Sequence, residues 1–305
     1  MTIIKQEKEK KIMTKENGNK KGNTGYQVEV KKAFEKIELG VKSVFESENY
    51  KKYLQTMAKF HKYSINNSIL IMLQAPTATA IAGAGTWKNE FGRTIKKGAK
   101  AIKILIPHPY KREIEVEEED GTTRKEVKEL CYFTLGNVFD LEQTEVTEGE
   151  DDFPRICREL QEDSEEIKEA ISATEKVSNC PICYWNLKDG SKGFYSKKDN
   201  KIVIKNGMTT SQTLKTLVHE IAHSRLHNTE ADIPRQQKEI EAESIAFVVC
   251  SALFGVDTSD YSFEYIASWN GKDTKELKSI LSNIQKQASK LIQEIEAKLL
   301  ESEVA

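Results

Sequence analysis

Leu214-Lys215-Thr216-Leu217-Val218-His219-Glu220-Ile221-Ala222-His223 decides how the second half of this chain is read. Leu214, Leu217, Val218 and Ile221 recur at the 3.6-residue period, so the segment is a helix with one buried face. His219 and His223, one turn apart, project from the same side, where both imidazoles reach a single tetrahedral ion, and Glu220 lies beside them. The donor set suits Zn2+. Bound zinc acidifies a water, and a neighbouring carboxylate takes that proton and hands it to a leaving amine, so Glu220 is the candidate catalytic base.

A third protein ligand is needed, and the next helical segment offers Glu239-Ile240-Glu241-Ala242-Glu243. Glu239 and Glu243 stack one turn apart. Glu239 is the expected third metal ligand, and Glu243 is placed to accept a hydrogen bond from a ligating imidazole and so fix its tautomer. Glu241 points elsewhere and ranks second. Three of only 5 histidines fall between His219 and His227, which sharpens the signal; His227 itself reads as a helix-end or surface histidine rather than a fourth ligand. Cys180-Pro181-Ile182-Cys183 lacks a second Cys or His pair to complete a zinc knuckle, and Cys250 sits in an apolar helical run as a small core residue.

Around this centre the periodicity predicts helices near 211–227, 236–254 and 275–300, with a shorter one around 263–269. Upstream lie a helix near 154–174 and strands at 182–187, 193–196 and 201–204, the last two joined by Asp199-Asn200. The segment 142–152 is acidic and aperiodic, and we place a domain boundary there. Before it, Val28 to Lys59 carries Val30, Phe34, Ile37, Val41, Val44, Phe45 and Leu54 at helical spacing, with Gly40 or 47–49 as breaking points. A second helix covers 66–74, with Asn66 or Asn67 as its N-cap and Pro76 ending it. Ile102, Ile104 and Ile106 then alternate against Lys103 and Leu105 as a strand stopped by Pro107. A hairpin turns at Asp120-Gly121 between 111–119 and 122–130, and 131–139 is another strand. Residues 1–25 mix Lys, Glu, Asn and Gly and are expected to be a disordered tail. The expected fold class is α+β: N-terminal helices with a small antiparallel sheet (26–145), then a domain with a short sheet and the metal-ligating helix (153–300).

Composition narrows the partners. The 305 residues are 31% charged and 38% hydrophobic with a net charge of -2, so the surface is no uniformly basic coat and nucleic-acid binding must come from a local cluster. No apolar run approaches the roughly 18 residues of a membrane span, and the N-terminus lacks a secretory h-region; no membrane partner is expected, the location is the cytoplasm, and the 5 cysteines read as free thiols. The local cluster exists: Lys88, Arg93, Lys96, Lys97, Lys100, Lys103, Lys111 and Arg112 stand against Glu90 alone, with Phe91 and Tyr110 interleaved and Trp87 just before. Single-stranded nucleic acid is held by such combinations of cations and stacking faces. A solvated hairpin surface with its aromatics in the core is the competing reading, and composition leaves both open.

The stretch Tyr63-Ser64-Ile65-Asn66-Asn67-Ser68-Ile69-Leu70-Ile71, with Gln74-Ala75-Pro76, Ala78-Thr79, Ala82-Gly83, Thr86-Trp87-Lys88, Gly92-Arg93 and Lys96-Lys97-Gly98, resembles the N-terminal domain of the ArdC antirestriction family over roughly residues 30–145. That resemblance implies single-stranded DNA binding, with Asn67, Trp87, Lys88, Arg93, Lys96, Lys97, Lys100 and Lys103 as candidate contacts. It also implies a C-terminal zincin-like, gluzincin-type metallopeptidase domain acting on a protein or peptide, carried by a mobile element and protecting incoming DNA from restriction. The second half fits through His219-Glu220-Ile221-Ala222-His223. It is also similar to metallopeptidases that cleave phage-type repressors, so a regulatory peptidase stands as one alternative and a non-catalytic DNA-coating protein with structural zinc as the other. The Lys/Glu-rich tail and the 275–300 helix depart from the plasmid-borne pattern.

Overall fold

The computed structural model describes residues 24–45, 47–117, 123–147, 164–188, 190–228, 233–255 and 272–304. The expected tail, the Asp120-Gly121 turn, the 154–163 part of a helix and the 263–269 helix lie outside them. The described chain is α+β. In order it runs α1 (Thr24–Val44), α2 (Ser47–Lys59), α3 (Ile65–Gln74), β1 (Ile81–Ala82), α4 (Ala84–Phe91), β2 (Arg93–Ile95), β3 (Ile102–Glu117), β4 (Thr123–Asp140), β5 (Thr144–Val146), α5 (Glu165–Lys176), β6 (Ile182–Trp185), β7 (Gly193–Ser196), β8 (Lys201–Lys205), α6 (Thr210–Leu226), α7 (Arg235–Phe254) and α8 (Thr274–Val304). Described residues up to Lys36 and within Leu105–Leu135 form one compact unit; those within Ile37–Ile104 and Gly136–Ala305 form another.

β3 and β4 are neighbours in one sheet, and the separately expected strands at 102–106, 111–119, 122–130 and 131–139 fall, where described, on these two continuous strands. Pro107 does not stop β3. The sheet order is β1-β4-β3, and on an edge strand a missing N–H costs no ladder bond. Phe34 and Phe133 pack edge to face here, centroids 5.5 Å apart.

α1 and α2 are separate helices, and the break precedes Ser47 rather than falling at Gly40. Gly40 instead lets helices approach: a Cβ there would sit 2.6 Å from Ile69 Cγ2. Ser64 caps α3, accepting from the Asn67 N–H, which moves the cap two or three residues upstream of the expected Asn66 or Asn67; an extended Ser hydroxyl meets the same orphan donors. Ile102, Ile104 and Leu105 are buried while Ile106 is 40% exposed, so the expected alternation ends one residue early. Residues 144–146, read as linker, form β5 and pair antiparallel with β2, Arg93 opposite Val146 and Ile95 opposite Thr144.

Beside α6 the three-stranded sheet has the order β6-β8-β7. β6 runs parallel to β8 and β7 antiparallel, with Asn200 at φ 46 in the connecting turn, a conformation Asn tolerates. Ile202, Val203 and Ile204 of the central strand are all 0% exposed. Thr209 caps α6 by accepting from the Gln212 N–H, and Leu214, Leu217, Val218 and Ile221 bury its apolar face. α7 packs against α6, α8 and α2, which is why Ile240 through Cys250 is buried almost all round rather than on one stripe. The fully buried Tyr50 hydroxyl of α2 lies 2.8 Å from Ser244 Oγ of α7.

Candidate metal centre

α6 supplies His219 and His223 and α7 supplies Glu239, and the structure brings the three together. His219 Nε2 and His223 Nε2 are 3.1 Å apart, and Glu239 Oε2 stands 3.5 Å from each. Among the described residues this is the group able to hold a metal ion. Tetrahedral zinc with bonds of about 2.0–2.1 Å separates its ligand atoms by about 3.3 Å, so the spacing fits a metal without rearrangement. The donor chemistry fits too. His219 Nδ1 lies 3.0 Å from Glu243 Oε2; a carboxylate only accepts, so Nδ1 carries a proton, and Nε2 is the atom left facing the centre, able to bind a metal once it gives up its own proton. Lone pairs facing one another at such distances repel unless a cation or proton lies between them.

The electrostatics follow from burial against charge. Burial opposes a proton on His219, yet its hydrogen bonds to Glu239 and Glu243 and the charges of Glu220 and Glu243 outweigh it and lift its pKa to about 9. His223 moves down, chiefly by burial, with the Glu239 hydrogen bond opposing and His219 and His227 adding to the fall. Hydrogen bonds from His219 and His223 hold the Glu239 carboxyl well below the usual carboxylate range. Glu220, only 6% exposed, is pushed up to about 7 by burial and Glu239, while His219 and the backbone N–H of Tyr195 pull it down. That N–H belongs to β7, whose close seat on α6 depends on Gly193: a Cβ there would lie 2.8 Å from Thr216 Cγ2 and 2.9 Å from the Val203 carbonyl.

The sequence reads His227 as a helix-end or surface histidine, and the surface alternative is overturned. His227 is the C-cap of α6 but not a surface residue; it is 8% exposed, with Nδ1 3.0 Å from His223 Nδ1 and Nε2 3.1 Å from Glu241 Oε2. Glu241, 5% exposed, stands outside the metal-capable group, as its lower rank in the sequence reading has it, and meets His227 instead. The i, i+4, i+8 spacing of the three histidines was the available signal. Glu243 is where it was expected, and Lys215 Nζ approaches its other oxygen at 3.7 Å. Cys180 and Cys183 are free thiols outside the metal-capable group, and Cys250 is a 0% exposed core residue.

The basic strip is divided. Lys88, Lys96, Lys97, Lys100 and Lys103 are exposed in the larger unit, whereas Tyr110, Lys111 and Arg112 belong to the smaller. Trp87 does not face solvent: it is 1% exposed, and its Nε1 donates to the Phe139 carbonyl at 2.8 Å, because a large ring gains more from the core. Arg93 is 8% exposed and donates to Thr144 Oγ1 at 2.7 Å, tying β2 to β5. Asn67 is likewise buried in α3. These three are corrected from candidate DNA contacts to packing residues. Exposed aromatics occur instead on the hairpin, where Tyr132 (55% exposed) and Tyr110 (43%) lie with ring centroids 6.0 Å apart, and His108 stacks on Tyr132 at 4.8 Å.

Fold and centre together define an α+β protein with a His, His, carboxylate cluster able to hold a metal ion. Residues 26–139 match the family model for the N-terminal domain of anti-restriction factor ArdC. It is 28% identical to the uncharacterized protein pXO2-81/BXB0111/GBAA_pXO2_0111 of Bacillus anthracis over 94% of its own length, and spans 55% of that relative. The metal-free crystal structure of antirestriction ArdC from plasmid R388 superposes with a TM-score of 0.48 at 19% identity, covering 78% of this chain and 86% of that one. The Mn(II)-bound structure of the same protein gives 0.47 at 19% identity, over 78% and 85%. No described helix is long and apolar enough to cross a membrane.

Proposed function

We propose that this protein is a zinc-dependent peptidase joined to a single-stranded-DNA-binding domain, acting in the cytoplasm to protect DNA entering with a mobile element. The observation that carries the catalytic part is the meeting of His219 Nε2, His223 Nε2 and Glu239 Oε2 at 3.1–3.5 Å beside the buried Glu220. Bound Zn2+ supplies Lewis acidity, lowering the pKa of a water and polarising a carbonyl. Glu220, lifted to about 7, takes the proton of the attacking water near neutral pH and delivers it to the leaving amine. The Tyr195 N–H orients that carboxylate, and Glu243 holds His219 in the ligating tautomer. A purely structural zinc site closes with four protein ligands and has no use for a buried base beside it, which favours catalysis over the coating-protein reading.

DNA binding is supported by the exposed lysines of 88–103 and by Tyr110 and Tyr132, which offer faces for unpaired bases. The test compares wild type with Glu220→Gln on one preparation. We expect one zinc per chain and salt-sensitive single-strand binding in both, and cleavage of a quenched-fluorescent peptide library by wild type alone. A zinc-free wild type overturns the metal reading. Zinc without cleavage, or with equal cleavage by Glu220→Gln, overturns the peptidase.

A further inference from the structure

Both ligating histidines need a partner for the ring nitrogen that faces away from the metal, and the centre provides two unlike ones. His219 has a carboxylate, Glu243, directly. His223 has another imidazole, His227, whose Nδ1 lies 3.0 Å away, and behind it Glu241 at 3.1 Å from His227 Nε2. Gln237 Nε2 in turn donates to the other Glu241 oxygen at 2.8 Å.

The roles along this chain follow from donor and acceptor inventory alone. The Glu241 carboxylate only accepts, so His227 carries its proton on Nε2 and leaves Nδ1 as a lone pair. That lone pair demands a donor, so the proton of His223 sits on Nδ1 and its Nε2 lone pair is aimed at His219 and Glu239. One wrong tautomer anywhere would put two hydrogens or two lone pairs face to face in a buried site. The burial makes the arrangement strict: His227 and Glu241 are 8% and 5% exposed, so water cannot substitute for a lost partner without cost.

We propose that His227 and Glu241 are positioning residues that set the tautomer and ring plane of His223 through a histidine relay. The inference rests on the metal-site reading above. Its neutral-imidazole partner makes His223 the weaker-held ligand of the pair, where a direct carboxylate holds His219. Loss of an outer partner of a metal-ligating histidine typically weakens binding by about 10–100-fold.

The experiment measures zinc affinity by chelator competition and the visible spectrum of the Co(II)-loaded protein, which reports coordination geometry, for wild type and three variants. His227→Phe fills the space but offers no acceptor; about 10–100-fold weaker zinc binding and an altered Co(II) spectrum are expected. His227→Gln can accept from His223 with its carbonyl and donate to Glu241 with its amide, and should recover most of the affinity. The double variant His227→Phe/Glu241→Leu removes the stranded carboxylate, so it folds even where the single variant does not, yet its affinity should stay low. Wild-type affinity and spectrum in either His227→Phe background overturn the relay, because a merely structural pair would be repaired by repacking. Failure of the wild type itself to bind zinc or Co(II) overturns the metal site, and the relay with it.

Discussion

Metal affinity should climb steeply with pH because His219 must give up a proton to become a ligand. Burial discourages that proton, but Glu239, Glu243 and Glu220 together hold the pKa at about 9, so at pH 7 only about one molecule in 100 presents a neutral ring. Apparent affinity at pH 7 is therefore about 100-fold below its alkaline limit, and it gains about tenfold per pH unit up to about 9. His223 is pulled the other way and adds no such slope, and an unperturbed histidine near 6.5 would be exhausted above pH 7.5. Glu220, ionising through about 7, adds negative charge in the same direction. The assay is chelator competition at fixed ionic strength from pH 6.5 to 9.5, with calorimetry at pH 7.5 in two buffers of different ionisation enthalpy to count protons. Close to one proton released is expected. A flat affinity between pH 7.5 and 9 with no release would refute the reasoning. In the metal-free chain the sign reverses: the raised His219 pKa contributes stability that is complete below about 6.5 and is lost as pH rises through about 9. The metal-free melting temperature should fall across that window.

Gly193→Ala should push β7 off α6, costing about 1–3 kcal/mol by overpacking and displacing the Tyr195 N–H from Glu220; thermal melting and peptide cleavage both read it, and unchanged activity would detach the strand from the site. Tyr50→Phe removes a buried hydroxyl that meets Ser244 Oγ at 2.8 Å; because that Oγ still donates to the Ile240 carbonyl, only about 0.5–1.5 kcal/mol should be lost on denaturant unfolding. Tyr132→Ala should weaken single-strand binding by about 1–3 kcal/mol without lowering the melting temperature, whereas Trp87→Ala should destabilise the fold by about 3–5 kcal/mol; the opposite pattern would return Trp87 to the DNA surface.

Helix positions and the centre's main donors were legible because they depend on short-range periodicity. The expected 211–227 and 236–254 helices are Thr210–Leu226 and Arg235–Phe254, since an amphipathic stripe and a cap need only neighbours in sequence. His219 and His223 meet because i and i+4 share a helix face whatever surrounds them. Pro107 misled because its effect on a strand depends on whether that strand lies at an edge, which is a property of the sheet. Trp87 and Arg93 misled because an aromatic or a guanidinium next to lysines reads the same whether it faces water or core.

By itself, then, the sequence determined which residue types sit one turn apart on which helices, and through them two imidazoles that share a face beside Glu220. Tertiary structure alone decided what each buried polar atom meets. Crossing α6 against α7 carried Glu239 to the two imidazoles, turned Glu241 onto His227, and left Glu243 to His219. Three glutamates in five residues are equivalent on paper; the direction of the crossing and the exclusion of water assign each a different partner.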